Sequence, residues 1–125
     1  LIKALNDVKF SFNSYTMNMT SIKYGVASIN DKAYFDECVG KIIETREKAK
    51  ESLTKLGFTF PDSKANFIFT THKSVPAKEI FEKLKAKKIY VRYFNQPGID
   101  NYLRISVGTD EQMDKLIQAL SDIVA

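Results

Sequence analysis

The stretch of sequence that decides the fold runs from residue 90 to residue 111 and reads YVRYFNQPGIDNYLRISVGTDE. β-Branched and aromatic residues are frequent at positions 89–94 and 102–107, and such residues favour strands. Between these two runs, a Gln-Pro-Gly tripeptide at 96–98 predicts a turn. Thr109 is followed three positions later by a glutamine, which forms a capping box and predicts the start of a helix. This stretch therefore predicts two strands followed by a helix.

Upstream of this stretch, apolar residues at three- and four-residue steps predict helices. The longest pattern lies between Asp31, a good N-cap, and Gly57, which is typical of the position just after a helix. The shorter elements expected from the same reasoning are helices at 1–9, at 20–29 and from Pro76, and strands at 58–60 and 66–71. The predicted order is helix, connector, helix, long helix, and then β-β-α-β-β-α.

This order predicts an α+β fold in which helices cover a small antiparallel or mixed sheet. We expect residues 31–125 to form one compact domain and residues 1–30 to form a helical connector segment. The sequence begins in the middle of a helical pattern, from which we expect it to be a piece of a longer protein.

Composition and charge narrow the possible classes of protein. The 125 residues are 44% hydrophobic and 27% charged, as in soluble globular domains. No apolar run approaches the roughly 20 residues that cross a bilayer. The single cysteine, Cys38, excludes an internal disulfide, fits a reducing cytoplasm, and lies on an apolar helix stripe where we expect a buried thiol. The net charge of +4 comes with acidic and basic residues that alternate along 41–51, which predicts a solvated helix face.

Two arginines are the main candidate functional residues. Arg92 and Arg104 each lie in an otherwise apolar or aromatic strand. Guanidiniums on adjacent strands repel each other unless an anion lies nearby, and their planar donor geometry suits carboxylate or phosphate. An anion-binding site and an outward face with two solvated arginines both fit this pattern. His72 has no second histidine to share a metal with, so we expect it at the surface, and no complete catalytic set or Gly-rich phosphate loop is recognised.

The strands that carry these arginines resemble a known family. Residues 90–98 and 101–111 are similar to the C-terminal signature of histidinol-phosphate aminotransferases, which are fold-type I enzymes that use pyridoxal phosphate. Further similarity to this family, in the same order along the chain, lies at 8–15, 31–35, 45–47 and 61–67. The resemblance implies a fold like the C-terminal small domain of these aminotransferases.

The resemblance also implies where a substrate binds. In that family, the arginine of the Leu-Arg-Ile strand holds the substrate α-carboxylate, and this residue is Arg104 here. The arginine of the Val-Arg strand helps to hold the substrate phosphate, and this residue is Arg92. Asn13 and Tyr15 would line the site near the domain junction. By this resemblance, the chain itself contributes no catalytic, cofactor-binding or metal-binding residue.

For the longer protein, the resemblance implies a cofactor and partners. Its members use pyridoxal 5′-phosphate to transfer an amino group between histidinol phosphate and 2-oxoglutarate in histidine biosynthesis, and they are cytoplasmic homodimers. Their cofactor lysine lies in a Ser-Lys motif upstream of the matched region, whereas Ser63-Lys64 here lies in a predicted turn. The chain alone is therefore expected to bind no cofactor and to be inactive. Neither nucleic acid nor a membrane is expected as a partner.

Two alternatives remain open. The first is a related pyridoxal-phosphate enzyme, such as another aminotransferase or a phosphothreonine-type decarboxylase, because Arg104 would serve any α-amino acid substrate. The second is a stand-alone basic module that binds RNA or an anionic metabolite, because four lysines cluster at 83–88 near Arg92. The sequence lacks the aromatic RNA-stacking motif that would favour RNA.

Overall fold

The computed structural model describes residues 1–11 and 15–125, which form two compact units, 1–37 and 38–125. The first unit contains α1 (Ile2–Lys9), α2 (Met19–Asn30) and the start of α3 (Lys32–Lys55). Side chains cap two of these helices: Asn18 accepts a hydrogen bond from the Ser21 N–H at 2.8 Å, and Asp31 accepts one from the Tyr34 N–H at 3.3 Å. The three predicted helices in this region are confirmed.

The second unit contains the rest of α3 and all of the strands. Its further elements are β1 (Phe58–Thr59), β2 (Phe67–His72), α4 (Ala77–Ala86), β3 (Arg92–Tyr93), β4 (Leu103–Ser106) and α5 (Asp110–Val124). Gly57 follows α3 with a φ of +87°, a conformation that glycine adopts without a steric penalty. At α5, Thr109 and Gln112 form the predicted capping box. Within the described residues, no helix has the length and apolar character needed to span a membrane.

The four strands form an antiparallel sheet in the order β1-β2-β4-β3. One face of the sheet is buried, with Ile68, Leu103 and Ile105 each at most 1% exposed. These strand residues belong to one apolar core with residues of three helices: Ala49, Leu53, Ile80, Leu84, Met113, Leu116 and Leu120. Each fully buried leucine or isoleucine contributes roughly 1.5–3 kcal/mol to stability. The α+β fold is confirmed, and the sheet is antiparallel.

The strand predicted at 89–94 is shorter than expected, since only Arg92 and Tyr93 pair with β4. The residues before them complete the end of α4. The Ile89 N–H donates to the Leu84 carbonyl at 3.0 Å, and the Lys88 N–H donates to the Lys85 carbonyl at 3.0 Å. This pattern is a Schellman motif, in which Lys88 occupies the left-handed position usually taken by glycine, with a φ of 63°.

The expectation that His72 lies at the surface is wrong, because its side chain is only 5% exposed. His72 ends β2 on the buried face, where its ring lies 4.8 Å from that of Phe58. Its Nε2 lies 2.9 Å from the Leu56 carbonyl oxygen, and its Nδ1 accepts hydrogen bonds from the N–H groups of Ser74 and Val75. His72 therefore joins the end of α3 to the segment before α4.

The solvated face predicted for α3 is also partly wrong, because Arg46 is only 5% exposed. Arg46 precedes buried Ala49 and Leu53 by three and seven positions, so it lies on the helix face that packs into the core. Toward the start of α3, the predicted apolar stripe is open: Phe35 is 55% exposed and Ile43 is 45% exposed. The thiol of Cys38, expected to be buried, is half-buried.

Candidate functional site

The two predicted site arginines are direct neighbours on the sheet. Arg92 of β3 lies opposite Arg104 of β4, and Phe69 of β2 lies opposite Arg104 on its other side. The alternation along β4 buries Leu103 and Ile105 and leaves Arg104 exposed. Directly opposite residues of antiparallel strands have Cα atoms roughly 4.5–5.5 Å apart and point to the same face. The arginines therefore lie side by side on the face of the sheet that the core does not cover.

Four aromatic residues surround the arginines on this face, and together we call them the aromatic frame: Phe67, Phe69, Phe94 and Tyr102. The Arg104 guanidinium lies 5.5 Å from the centre of the Phe67 ring, and the Arg92 guanidinium lies 5.5 Å from that of Phe94. Phe69 stacks on Tyr102, with ring centres 4.7 Å apart and an interplanar angle of 8°. Phe94 and Phe69 pack edge to face, with ring centres 6.0 Å apart. The frame supports both guanidiniums with apolar contacts and leaves their hydrogen-bond donors open.

The positive charge of this face is not neutralised by any acidic residue in the part of the chain that the structure describes. Neither Arg92 nor Arg104 has an acidic partner among the described residues. Like charges directly opposite each other in a sheet destabilise it. A carboxylate or phosphate placed over this face would remove the repulsion and accept hydrogen bonds from the guanidiniums. The arrangement is therefore suited to binding anions.

The other two predicted site residues are Asn13 and Tyr15, whose roles this geometry does not test. Asn13 lies outside the described residues. Tyr15 is 90% exposed and belongs to the first unit, whereas the arginines belong to the second. The roles expected for Asn13 and Tyr15 stay predictions.

Sequence reasoning missed a set of contacts that fixes the loop before β2. The Nη1 of Arg46 donates to the Ala65 carbonyl at 3.1 Å, and its Nε donates to Glu47 at 2.9 Å. Lys50 binds Glu47 at 2.7 Å and Asp62 at 2.6 Å. The hydrogen bond from Lys50 is the main cause that lowers the pKa of Asp62 and the pKa of Glu47. Two cations of α3 thus hold both ends of the loop at 62–65.

This loop leads directly into the aromatic frame. The Ser63 hydroxyl donates to the Phe67 carbonyl and accepts a hydrogen bond from the Ala65 N–H at 3.2 Å. On the β4 side, the Val107 N–H donates to the Asn66 carbonyl at 2.9 Å. The loop therefore fixes the backbone of Phe67, the residue that contacts Arg104. The sequence contained one signal for this arrangement: Arg46 lies three positions before Ala49, on the apolar face of the helix.

Comparison with known proteins identifies the family of the chain. A model of the family "Aminotransferase class I and II" matches residues 1–120. The chain belongs to this aminotransferase family. The aminotransferase chain is 48% identical over 124 residues to histidinol-phosphate aminotransferase from Brachyspira hyodysenteriae, covering 99% of this chain and 35% of that protein. It is 52% identical over 120 residues to the Acinetobacter baumannii enzyme of the same name, covering 96% of this chain and 33% of that one.

Solved structures show the same fold for this aminotransferase chain. The histidinol-phosphate aminotransferase of Sinorhizobium meliloti, solved in complex with pyridoxal-5′-phosphate, superposes with a TM-score of 0.78 at 21% identity. The superposition covers 94% of this chain and 33% of that one. The chain spans about a third of the length of the curated relatives it matches.

The residues of the aminotransferase chain do not by themselves fit a pyridoxal phosphate site. Such a site needs a lysine amine held away from water to bond the cofactor aldehyde. Lys50 is the most buried lysine, with its side chain 15% exposed, and it is already paired with Glu47 and Asp62. Lys64 of the Ser-Lys dipeptide is 80% exposed. Neither Lys50 nor Lys64 therefore offers a buried, unpaired amine for the cofactor aldehyde.

Proposed function

We propose that the chain is the C-terminal, substrate-side domain of a longer histidinol-phosphate aminotransferase. The observation that carries this proposal is the pair of neighbouring arginines on an open sheet face, without acidic partners among the described residues. The similarity to two enzymes of that name, at 48% and 52% identity, supports the same substrates. Family membership favours this function over a stand-alone RNA-binding module.

In this proposal, the chain binds and orients the substrates while the rest of the protein supplies the cofactor and its lysine. Histidinol phosphate carries a phosphate and 2-oxoglutarate carries carboxylates, so each substrate presents an anion to the sheet face. Arg104 binds the carboxylate through two parallel hydrogen bonds, and Arg92 contributes to binding the phosphate. Fixing the anion fixes the position of the amino or keto group relative to the cofactor, which converts binding energy into orientation.

The proposal also assigns roles to the other parts of the chain. Residues 31–125 would form the substrate-side domain and residues 1–30 the segment that leads into it. Asn13 and Tyr15 would complete the site where this domain meets the remainder of the protein. The longer protein would act as a homodimer in the cytoplasm, and the chain alone would transfer no amino group.

The test is steady-state kinetics of the longer protein with Arg104 replaced. A hydrogen bond to a charged group contributes roughly 1.5–3 kcal/mol, so Arg104→Gln should raise the KM for 2-oxoglutarate about ten- to a hundredfold. Arg104→Lys keeps the charge but loses the planar pair of donors, so its KM should lie between that of the unchanged protein and that of Arg104→Gln. Lys115→Gln removes an exposed positive charge on α5 and serves as the control.

Several outcomes distinguish this function from the alternative functions. A KM that Arg104→Gln leaves within about twofold would overturn the role of Arg104. Faster turnover of another amino donor than of histidinol phosphate would assign the protein to a different aminotransferase. Release of carbon dioxide from a phosphorylated amino acid would favour the decarboxylase alternative.

A further inference from the structure

Arg92 and Arg104 lie opposite each other, but their guanidiniums contact aromatic rings at different ends of the site. The pairing of the strands shows at which end each ring lies. Arg92 pairs with Arg104 and Tyr93 with Leu103, so the antiparallel register places Phe94 level with Tyr102. On the other side, Phe67 pairs with Ser106.

Each guanidinium therefore leans along the strand direction, away from its neighbour. Arg104 contacts Phe67 and leans toward the Ser106 end of β4, whereas Arg92 contacts Phe94 and leans toward the Tyr102 end. Residues two apart on a strand are separated by roughly 6.6 Å, so two such displacements in opposite directions separate the charges by up to about 13 Å. The Cα atoms of directly paired residues such as Arg92 and Arg104 lie only about 5 Å apart.

We propose that Phe67 and Phe94 are positioning residues that separate the two guanidiniums, so that Arg104 and Arg92 bind two distinct anionic groups instead of sharing one. This inference rests on the proposed function and assigns the carboxylate to the Phe67–Arg104 end and the phosphate to the Phe94–Arg92 end. A cation over an aromatic face is attracted by the ring quadrupole. This contact leaves the N–H groups of the guanidinium available to bind an anion.

The surroundings fix each ring independently of the other. Phe94 packs edge to face with Phe69, which in turn stacks on Tyr102. Phe67 is held through its backbone, where its carbonyl accepts a hydrogen bond from Ser63 in the loop bound by Arg46. Because the two supports share no side chain, replacing one ring should release one arginine and leave the other in place.

The first test measures this geometry directly and requires no activity. The chain has three arginines, Arg46, Arg92 and Arg104, so its side-chain Nε–Hε NMR spectrum contains three signals. Nuclei over a ring face are shifted upfield by the ring current. Phe67→Leu should move the Arg104 signal downfield and leave the Arg92 and Arg46 signals in place. Phe94→Leu should move the Arg92 signal alone.

The second test is the kinetics of the longer protein carrying the same changes. An exposed cation–π contact corresponds to about a two- to fivefold change in an equilibrium constant. Phe67→Leu should raise the KM for 2-oxoglutarate about two- to fivefold and leave the KM for histidinol phosphate unchanged. Phe94→Leu should show the opposite split. In both cases kcat should change less than KM, because the ring acts on binding through an arginine.

Two controls separate positioning from stability. Phe67→Tyr and Phe94→Tyr keep a ring face and should restore both the NMR signals and the KM values. Phe60→Leu removes another half-buried ring, one that follows β1 and lies outside the aromatic frame, and it should move neither arginine signal.

The outcomes distinguish this inference from the proposed function. If either leucine variant moves both arginine signals or neither, the proposal that each ring positions one arginine is overturned, whatever the protein catalyses. If the signals move as expected but both KM values rise together, the assignment of two separate anions is overturned. If the signals move as expected and the longer protein transfers no amino group, the proposed function is wrong and the ring-to-arginine pairing stands.

Discussion

Replacing Arg46 with methionine tests whether the loop before β2 is held by a buried arginine. Its hydrogen bond to the Ala65 carbonyl contributes roughly 1.5–3 kcal/mol, because the donor is charged. The ion pair with Glu47 adds at most about 1 kcal/mol, since the Glu47 side chain is 45% exposed. Methionine keeps most of the packing of the arginine stem. The free energy of unfolding should therefore fall by about 2–3 kcal/mol.

Urea denaturation of the chain, followed by far-UV circular dichroism, measures this change. With an m-value of roughly 1–3 kcal/mol per molar urea, the midpoint should move down by about 0.7–3 M. Lys48→Met is the matched control on the same helix, because the Lys48 side chain is 59% exposed and its ion pairs are at the surface. An unchanged or raised midpoint for Arg46→Met would refute the reasoning, since it would mean that burying the charge costs as much as its hydrogen bonds contribute.

Three further changes have expected effects on stability. Lys88→Gly should raise the free energy of unfolding by roughly 0.5–1 kcal/mol in urea melts, because glycine adopts the left-handed conformation without strain; a lower value would count against the Schellman assignment. His72→Phe should lower it by about 1–3 kcal/mol in the same assay, because the Leu56 carbonyl and two backbone N–H groups lose their partner; no loss would show that water replaces the ring. The Thr45 hydroxyl is the main cause that lowers the pKa of Asp110, so part of the stability is present above the unfolded pKa of about 3.9 and is lost as pH falls through the lower folded value. Thr45→Val should make the melting temperature less dependent on pH in this acidic range, and an equally steep dependence would exclude the hydroxyl as the cause.

Local patterns were sufficient to predict the helices and most strands. The apolar spacing, the caps at Asp31 and Thr109, and Gly57 each act within a few residues, so the sequence alone contains their physical cause. The strand predicted at 89–94 is shorter than expected for a different reason. Its first residue, Ile89, completes the Schellman motif at Lys88, and β-forming side chains cannot show which residues find a partner strand.

Two residues were wrongly predicted to be exposed because the prediction considered their polar neighbours and not their position on a helix or strand face. Arg46 lies in a run of alternating charges, but its position relative to Ala49 and Leu53 places it on the buried face. His72 is in phase with Ile68 and Thr70 on β2, and this alternation, not the polar neighbours, decides its burial.

The site could be predicted only in part for the same physical reason. The sequence identified Arg92 and Arg104 as unusual residues within strands, and the structure makes them partners through the register of β3 and β4. Their contacts with Phe94 and Phe67 depend on the direction in which each side chain leans. The contact between Arg104 and Phe67 depends on the strand order β2-β4-β3, which is a property of the whole sheet and not of any local pattern.

The central place of β4 in the sheet also has a consequence for how the protein acquires its function. β4 pairs with β2, which precedes it by more than thirty positions, so the two strands meet only after a long loop containing α4 has closed. Such distant pairings form late and slowly in folding. The Arg92–Arg104 pair belongs to the local pairing of β3 and β4, but Phe67 reaches Arg104 only after β2 has joined the sheet. A nascent or partly folded chain therefore lacks the contact between Phe67 and Arg104, which forms only in the last stage of folding.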